Sequence, residues 1–318
     1  MKAAAFVLSV LTLNVAGPRR VHQGWQTRRE ALAASIKAEN PGAAAFQEVW
    51  RPEDAEALGA AAGHPARAHE PSLGLAVTSR LPLLDRATLD LGGGFGALRA
   101  GLDAGGGRAA DVYSARLDPS DAPRRVGQLL ALADFVRAQS KDRAFVLLGD
   151  LAAASDGKEA ELFLDLLGAR DLCVSHGDEM CGRTLEDRRV DYALIPYSSR
   201  PPAETARAVF TGARAEDDDA PPLSAHFGLA ARLEPRWLSS RPAAEPDGRL
   251  EALAAAADYL DAARADADAR SRASGWLPWR GAWAARRARA EASRLAADAE
   301  RARTALARAA KPAVPAWE

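Results

Sequence analysis

Polar residues stand at the ends of short apolar runs in this sequence. Asn14 follows Leu11-Thr12-Leu13, Glu48 follows Ala43–Phe46, and Asp150 follows Phe145-Val146-Leu147-Leu148-Gly149. Asp191 interrupts the run Val190–Ile195, and His226 precedes Phe227–Leu233. The Phe145 run is the sharpest of these. Its apolar residues predict a strand buried on both faces, and Gly149 lets the backbone turn sharply at the end. Asp150 then stands at the carboxyl end, where an α/β sheet presents its ligands. A carboxylate on a rigid strand suits a hard cation such as Mg²⁺. The same Asp could instead cap the next helix. Polar groups delivered to the same edge by other segments favour the metal.

The elements that must position these groups read as follows. Val7–Val15 predicts a first strand. The stretch Lys2–Leu13 also resembles a short signal peptide, but cleavage near Ala16 would remove both Asn14 and the strand, so the strand is preferred. A helix is predicted from about Thr27 to Ala38, with Thr27 as N-cap and Glu30 completing a capping box. Ala43–Phe46 and Leu73–Arg80 read as strands, and residues 53–62 as a helix. Ala97–Leu102 and Ala109–Leu117 read as an antiparallel pair around Gly105-Gly106-Gly107. Helices follow at Arg124–Gln139 and Lys158–Leu167. The Gly92-Gly93-Gly94-Phe95-Gly96 run is a turn and not a dinucleotide fingerprint, because no helix follows it. The sum is α+β: two mixed sheets flanked by helices.

Composition changes after Leu233. Residues 235–246 form a Pro-rich linker, and residues 247–311 read as an Ala-rich helical hairpin broken at Ser274–Trp279, with a tail at 312–318. The second arm holds nine basic residues against Glu291, Asp298 and Glu300. Two readings are open: arms paired by charge, or a basic, Trp-tipped hairpin touching an anionic membrane surface.

A net charge of −1 advertises no global field for nucleic acid. No stretch is long enough to cross a membrane. Cys173 and Cys181 are expected as free thiols in a reducing, cytoplasmic compartment, with a loop-bridging disulfide as the alternative. His22, His64, His69 and His176 have no ligand spacing and read as loop or surface residues.

Seven segments, in order, resemble the endonuclease/exonuclease/phosphatase superfamily, which includes neutral sphingomyelinases and abasic-site nucleases. They are Leu11-Thr12-Leu13-Asn14, Phe46-Gln47-Glu48-Val49, Gly74–Pro82, Arg125-Val126-Gly127-Gln128, Leu148-Gly149-Asp150, Arg189-Val190-Asp191-Tyr192 and Leu223–Leu229. The resemblance covers about residues 5–233 and implies a four-layered α/β sandwich over residues 1–234. It implies that Glu48 is the principal ligand of Mg²⁺ or Mn²⁺. It further implies that His226, oriented by Asp191, acts at the scissile phosphate, that Asp150 orients or deprotonates the attacking water, and that Asn14 helps hold metal or phosphate.

Three positions depart from the family pattern. Ala152 stands where Gly-Asp-x-Asn has its amide, Ala225 where Ser-Asp-His has its carboxylate, and Arg116 where Thr-His-Leu has its imidazole. Arg116 can bind phosphate but cannot act as a base. The expectation is therefore a metal-dependent phosphodiester hydrolase of weak or lost activity, or a non-catalytic phosphate-, lipid- or protein-binding module on the same fold. Gly-, Ala- and Asp-rich loops, with Glu216-Asp217-Asp218-Asp219 before His226, disfavour DNA. A small phosphodiester or a phospholipid head group is the expected partner, with peripheral membrane contact through the hairpin.

Overall fold

Two six-stranded sheets face each other in the computed structural model. It describes residues 7–20, 23–175, 178–197, 206–210, 223–241, 248–273 and 280–310. The chain begins β1 (Leu8–Asn14), α1 (Gln23–Glu39), β2 (Ala43–Gln47), α2 (Pro52–Ala61), β3 (Ala66–Glu70), β4 (Leu75–Ser79), β5 (Leu83–Asp90), β6 (Gly96–Asp103) and β7 (Ala109–Arg116). Then come α3 (Ala122–Gln139), β8 (Ala144–Asp150), α4 (Lys158–Leu167), β9 (Ala169–Asp171), β10 (Val174–Ser175), β11 (Asp178–Glu179) and β12 (Asp191–Pro196). The last elements are β13 (Arg207–Val209), β14 (Gly228–Leu233), α5 (Arg249–Ala273) and α6 (Arg280–Ala309).

The first sheet has the order β13-β14-β1-β2-β4-β3 and the second β5-β6-β7-β8-β12-β9. Alternation along each strand sorts the side chains into layers. On β8, Val146 and Leu148 join the core between the sheets, while Phe145 and Leu147 face α3 and α4. The outer face of the first sheet packs Leu11, Leu13 and Phe46 against Trp25, Leu32 and Leu58 of α1 and α2. These are the four expected layers. The helical pair α5 and α6 lies outside α3 and α4 and shares their core through Leu253, Leu260 and Leu295. Its arms also pair by charge, Arg270 with Glu291 and Arg303 with Asp261. The Trp276 and Trp279 tip lies outside the described residues, as do His22, His176 and the acidic run 216–219.

Several expectations are corrected. Cys173 and Cys181 form a disulfide with a Cα–Cα distance of 5.2 Å. The small β10–β11 hairpin supplies the close approach, and Met180 N–H donates to the Cys173 carbonyl at 2.6 Å. The expected reducing compartment rested on free thiols and loses that support. Thr27 is not a cap: α1 begins at Gln23, and buried Trp25 donates from Nε1 to Asp54 Oδ1 at 3.1 Å, so tertiary packing holds an extra turn. His69 lies on β3 and not in a loop, whereas His64 is a packed loop residue as expected, its ring bonded to Thr78 Oγ1 and the Pro41 carbonyl. Gly149 makes no turn. It lies within β8, where a Cβ would meet the Ala115 carbonyl oxygen of β7 at 2.1 Å. Its missing side chain is what lets the two strands approach.

Candidate functional site

Strand direction gathers the polar residues at one edge. Strands β1 and β2 are parallel, so Asn14 and the residue after β2, Glu48, end at the same level. Strand β14 runs antiparallel to β1, so its approach brings His226 to that edge. In the second sheet β7 and β8 are parallel and β12 is antiparallel to β8. Arg116, Asp150 and Asp191 are consequently register partners across three neighbouring strands. Each sheet contributes three of the six residues, and all six converge.

The contacts are specific. Asn14 Nδ2 donates to Asp150 Oδ2 at 3.0 Å and to Glu48 Oε1 at 3.2 Å, so one amide bridges two carboxylates from opposite sheets. Asn14 Oδ1 accepts from the Ala16 amide at 2.9 Å, which fixes the orientation of that amide group. His226 Nδ1 donates to Asp191 Oδ2 at 2.9 Å, and its Nε2 lies 3.9 Å from Asp150 Oδ2. Arg116 Nη2 pairs with Glu48 Oε1 at 3.0 Å. Glu48 itself has a positive φ of 58°, as has Ala152 at 56°, so the backbone is bent into unusual shape on both sides of the site.

Electrostatics set the protonation states. Burial raises the Asp150 pKa, the Asp191 charge reinforces it, and His226, Asn14 and Arg116 only partly oppose this, leaving it at about 6. Burial works against the His226 imidazolium. The Asp191 hydrogen bond and charge, with Asp150 and Glu48, outweigh burial and lift its pKa to about 9. At neutral pH the site therefore holds an ionised Asp150 beside an imidazolium whose tautomer-determining Nδ1 is anchored.

Other residues support these six. Ser224 Oγ donates to the Asn14 carbonyl at 2.5 Å and accepts from the His226 amide at 3.1 Å. Thr184 Oγ1 accepts from the Val190 and Asp191 amides at 3.1 and 3.2 Å. Arg189 donates from Nη1 to the Asp191 carbonyl at 3.1 Å and pairs through Nη2 with Asp171 and Glu179 at 2.6 and 2.8 Å. Arg28 ties the Ala16 and Leu223 carbonyls together. Thr184, Arg189 and Ser224 lie within the motifs or beside them, but nothing in their types separates support from chemistry. Arg28 gives no signal in the sequence. Arg80 bonds Asn40 Oδ1, away from this edge.

The donors fit a hard divalent cation. Asp150, Asp191 and His226 each place one ligand atom within 4.8 Å of the others. The His226 imidazolium is no ligand, but Asn14 Nδ2 brings the Glu48 and Asp150 carboxylates together at 3.2 and 3.0 Å, and Asp191 Oδ1 is buried without a hydrogen-bond partner among the described residues. Carboxylate oxygens dominate, which suits Mg²⁺ or Mn²⁺ over softer metals. Arg116 is the competing cation, already seated on the Glu48 carboxylate. Cys173 and Cys181 also group with Glu179, but both sulfurs are consumed in the disulfide.

Comparison with known proteins agrees with this fold. Humanized D. rerio TDP2 shares 16% identity, covering 71% of this chain and 98% of that one, with a TM-score of 0.59. Sphingomyelinase C from Streptomyces griseocarneus shares 18%, covering 71% and 99%, with a TM-score of 0.57. A beta toxin mutant from Staphylococcus aureus, solved with bound magnesium ions, shares 14% over 71% and 99%, with a TM-score of 0.56. At these identities the likeness is one of fold. No curated protein sequence matches the chain. The sequence profile of the Endonuclease/Exonuclease/phosphatase family matches residues 11–295, and the chain belongs to that family.

Proposed function

We propose that this protein is a slow, divalent-metal-dependent phosphodiester hydrolase. The observation that carries the reading is the Asp191–His226 pair at 2.9 Å with Asp150 beside it, where the ends of the two sheets meet. A structural remnant has no need to hold three charged groups and Asn14 in mutual contact below the surface.

Each residue has a role that its environment suits. Asp150, with a pKa of about 6, accepts a proton from the attacking water as the water oxygen bonds to phosphorus and the bond from phosphorus to the departing ester oxygen breaks, that oxygen leaving as an alcohol with a proton taken from solvent. Imidazolium His226 donates a hydrogen bond to a non-bridging phosphate oxygen and stabilises the charge that builds there. Asp191 holds the ring and its proton. Glu48, with Asp150 and Asn14 near it, would hold Mg²⁺ or Mn²⁺, which supplies charge neutralisation at the phosphate when bound. Arg116 contributes a permanent guanidinium for a phosphate oxygen. Ala152 supplies no amide, so one contact to water or phosphate is missing, and a single such loss costs about 100-fold in rate.

Small phosphodiesters or phospholipid head groups are the proposed substrates. A second reading, non-catalytic phosphate binding, draws on the Glu48–Arg116 pair, because a guanidinium already neutralises the implied metal ligand. Calorimetric titration with Mg²⁺ or Mn²⁺, beside bis-p-nitrophenyl phosphate turnover, separates the two. Binding and turnover that both fall in a Glu48→Gln variant support the hydrolase. Phosphate binding with neither metal binding nor turnover in the parent protein supports the second reading.

A further inference from the structure

The Gly92–Gly96 turn has no part in the chemistry above, yet it closes an arc of alternating cations and rings. Arg19 Cζ lies 3.8 Å from the Trp50 ring centroid, and Arg116 lies 5.8 Å from the same ring. Arg116 is also 4.9 Å from the Phe95 centroid, and Arg124 follows at 5.5 Å. Three guanidinium groups thus interleave with two aromatic rings, centred on the residue that pairs with Glu48. Cation–π stacking orders long side chains before any ligand arrives.

The glycines explain how the arc is seated. A Cβ at Gly93 would meet Arg124 Nη2 at 2.8 Å, and one at Gly94 would meet Arg19 Nη2 at 3.1 Å. Both residues also have positive φ, 71° and 80°. Side chains here would displace the two outer guanidinium groups. Arg124 is held further by Asp118 at 3.0 Å and by the Gly92 carbonyl at 2.8 Å. Arg116 is engaged with Glu48. Arg19 is different: it is exposed, and no carboxylate pairs with it among the described residues. The arc therefore carries one ordered, uncommitted cation a single ring away from the proposed phosphate site.

We propose that Arg19, with Arg116 across Trp50, binds a second phosphate of the substrate, adjoining the scissile one. The ligand chemistry is a pair of phosphates on one small scaffold. This rests on the hydrolase reading for where the scissile phosphate sits, but it corrects one premise of the substrate expectation. The cleft wall is not simply Gly- and Ala-lined; Arg and aromatic residues form it. Gly74 packs against the Trp50 ring and guanidinium groups lie over both rings, so the wall reads charge rather than stacking a base.

Equilibrium binding tests this without turnover. Calorimetry in EDTA would compare thymidine 3′,5′-bisphosphate with thymidine 5′-monophosphate, and inositol 1,4-bisphosphate with inositol 1-phosphate. The expected result is a gain of about tenfold for the bisphosphate on at least one scaffold, the size of one added charge-assisted Arg contact. Arg19→Gln should abolish that gain and move the monophosphate affinity less than about twofold. A gain on one scaffold alone supports the site and identifies its source as nucleotide or polyol. Equal affinities for mono- and bisphosphates on both scaffolds overturn the proposal. So does an Arg19→Gln variant, shown folded by circular dichroism, that keeps the full gain or weakens both ligands alike. Because neither metal nor hydrolysis enters, a failed hydrolase reading leaves this outcome readable.

Discussion

At the scale of single residues, the site divides into an intact half and an altered half. The intact half is Asp150, Asp191, His226 and Asn14. In Asp191→Asn, His226 loses both the charge and the strong acceptor that lift its pKa to about 9. Its titration, followed by NMR of the imidazole, should move down toward the ordinary value of 6.5. An unmoved titration would mean that Asp191 does not control the ring. The altered half is Glu48 with Arg116. Arg116→His removes the guanidinium 3.0 Å from the Glu48 carboxylate. Mg²⁺ affinity measured by calorimetry should then rise about tenfold, because a fixed cation no longer competes for the ligand. Unchanged affinity would place the metal elsewhere.

At the scale of elements, the site depends on what β12 and its approach carry. Arg189 is almost fully buried between Asp171 and Glu179, with Asp191 two positions on. Replacing it by Ala strands a buried carboxylate, so urea unfolding should show a loss of about 3–5 kcal/mol. A loss below about 1 kcal/mol would show that the loop relaxes around the gap. The motifs were legible because each polar residue ends an apolar run, and the pairing rules then decide which ends coincide. The edge strands were not. Strand β5 alternates weakly, with Asp85 and Arg86 adjacent and exposed, and β3 leaves only Ala68 buried. Their pairing with β6 and β4 comes from tertiary context, which local propensity does not record. The disulfide was hidden for the same reason: a hairpin of two-residue strands has no periodicity to read.

At the scale of the molecule, a helical pair covers a sandwich that already had its four layers. Leu295 on α6 is completely buried and belongs to the same core as Leu129, Phe145 and Phe163. Leu295→Ala should cost about 2–5 kcal/mol. Scanning calorimetry should show α5 and α6 unfolding together with the sandwich in one transition. A separate early transition would make the pair an independent unit. The Ala-rich, charged composition of residues 247–311 made these helices visible, but Ala-rich faces look alike and did not tell which surface they cover. The contacts supply that: Arg294 reaches Asp121, the cap of α3, at 3.1 Å.

The most direct test of the central claim is the pH–rate profile of bis-p-nitrophenyl phosphate hydrolysis with Mg²⁺, for the parent protein and Asp150→Asn. The proposed mechanism requires Asp150 ionised and His226 protonated. The rate should therefore rise through about 6 as Asp150 loses its proton and fall through about 9 as His226 loses its own. Asp150→Asn should lower the plateau by about 100-fold or more and remove the acidic limb. A rate that never exceeds background, or one that Asp150→Asn leaves intact, would contradict the account.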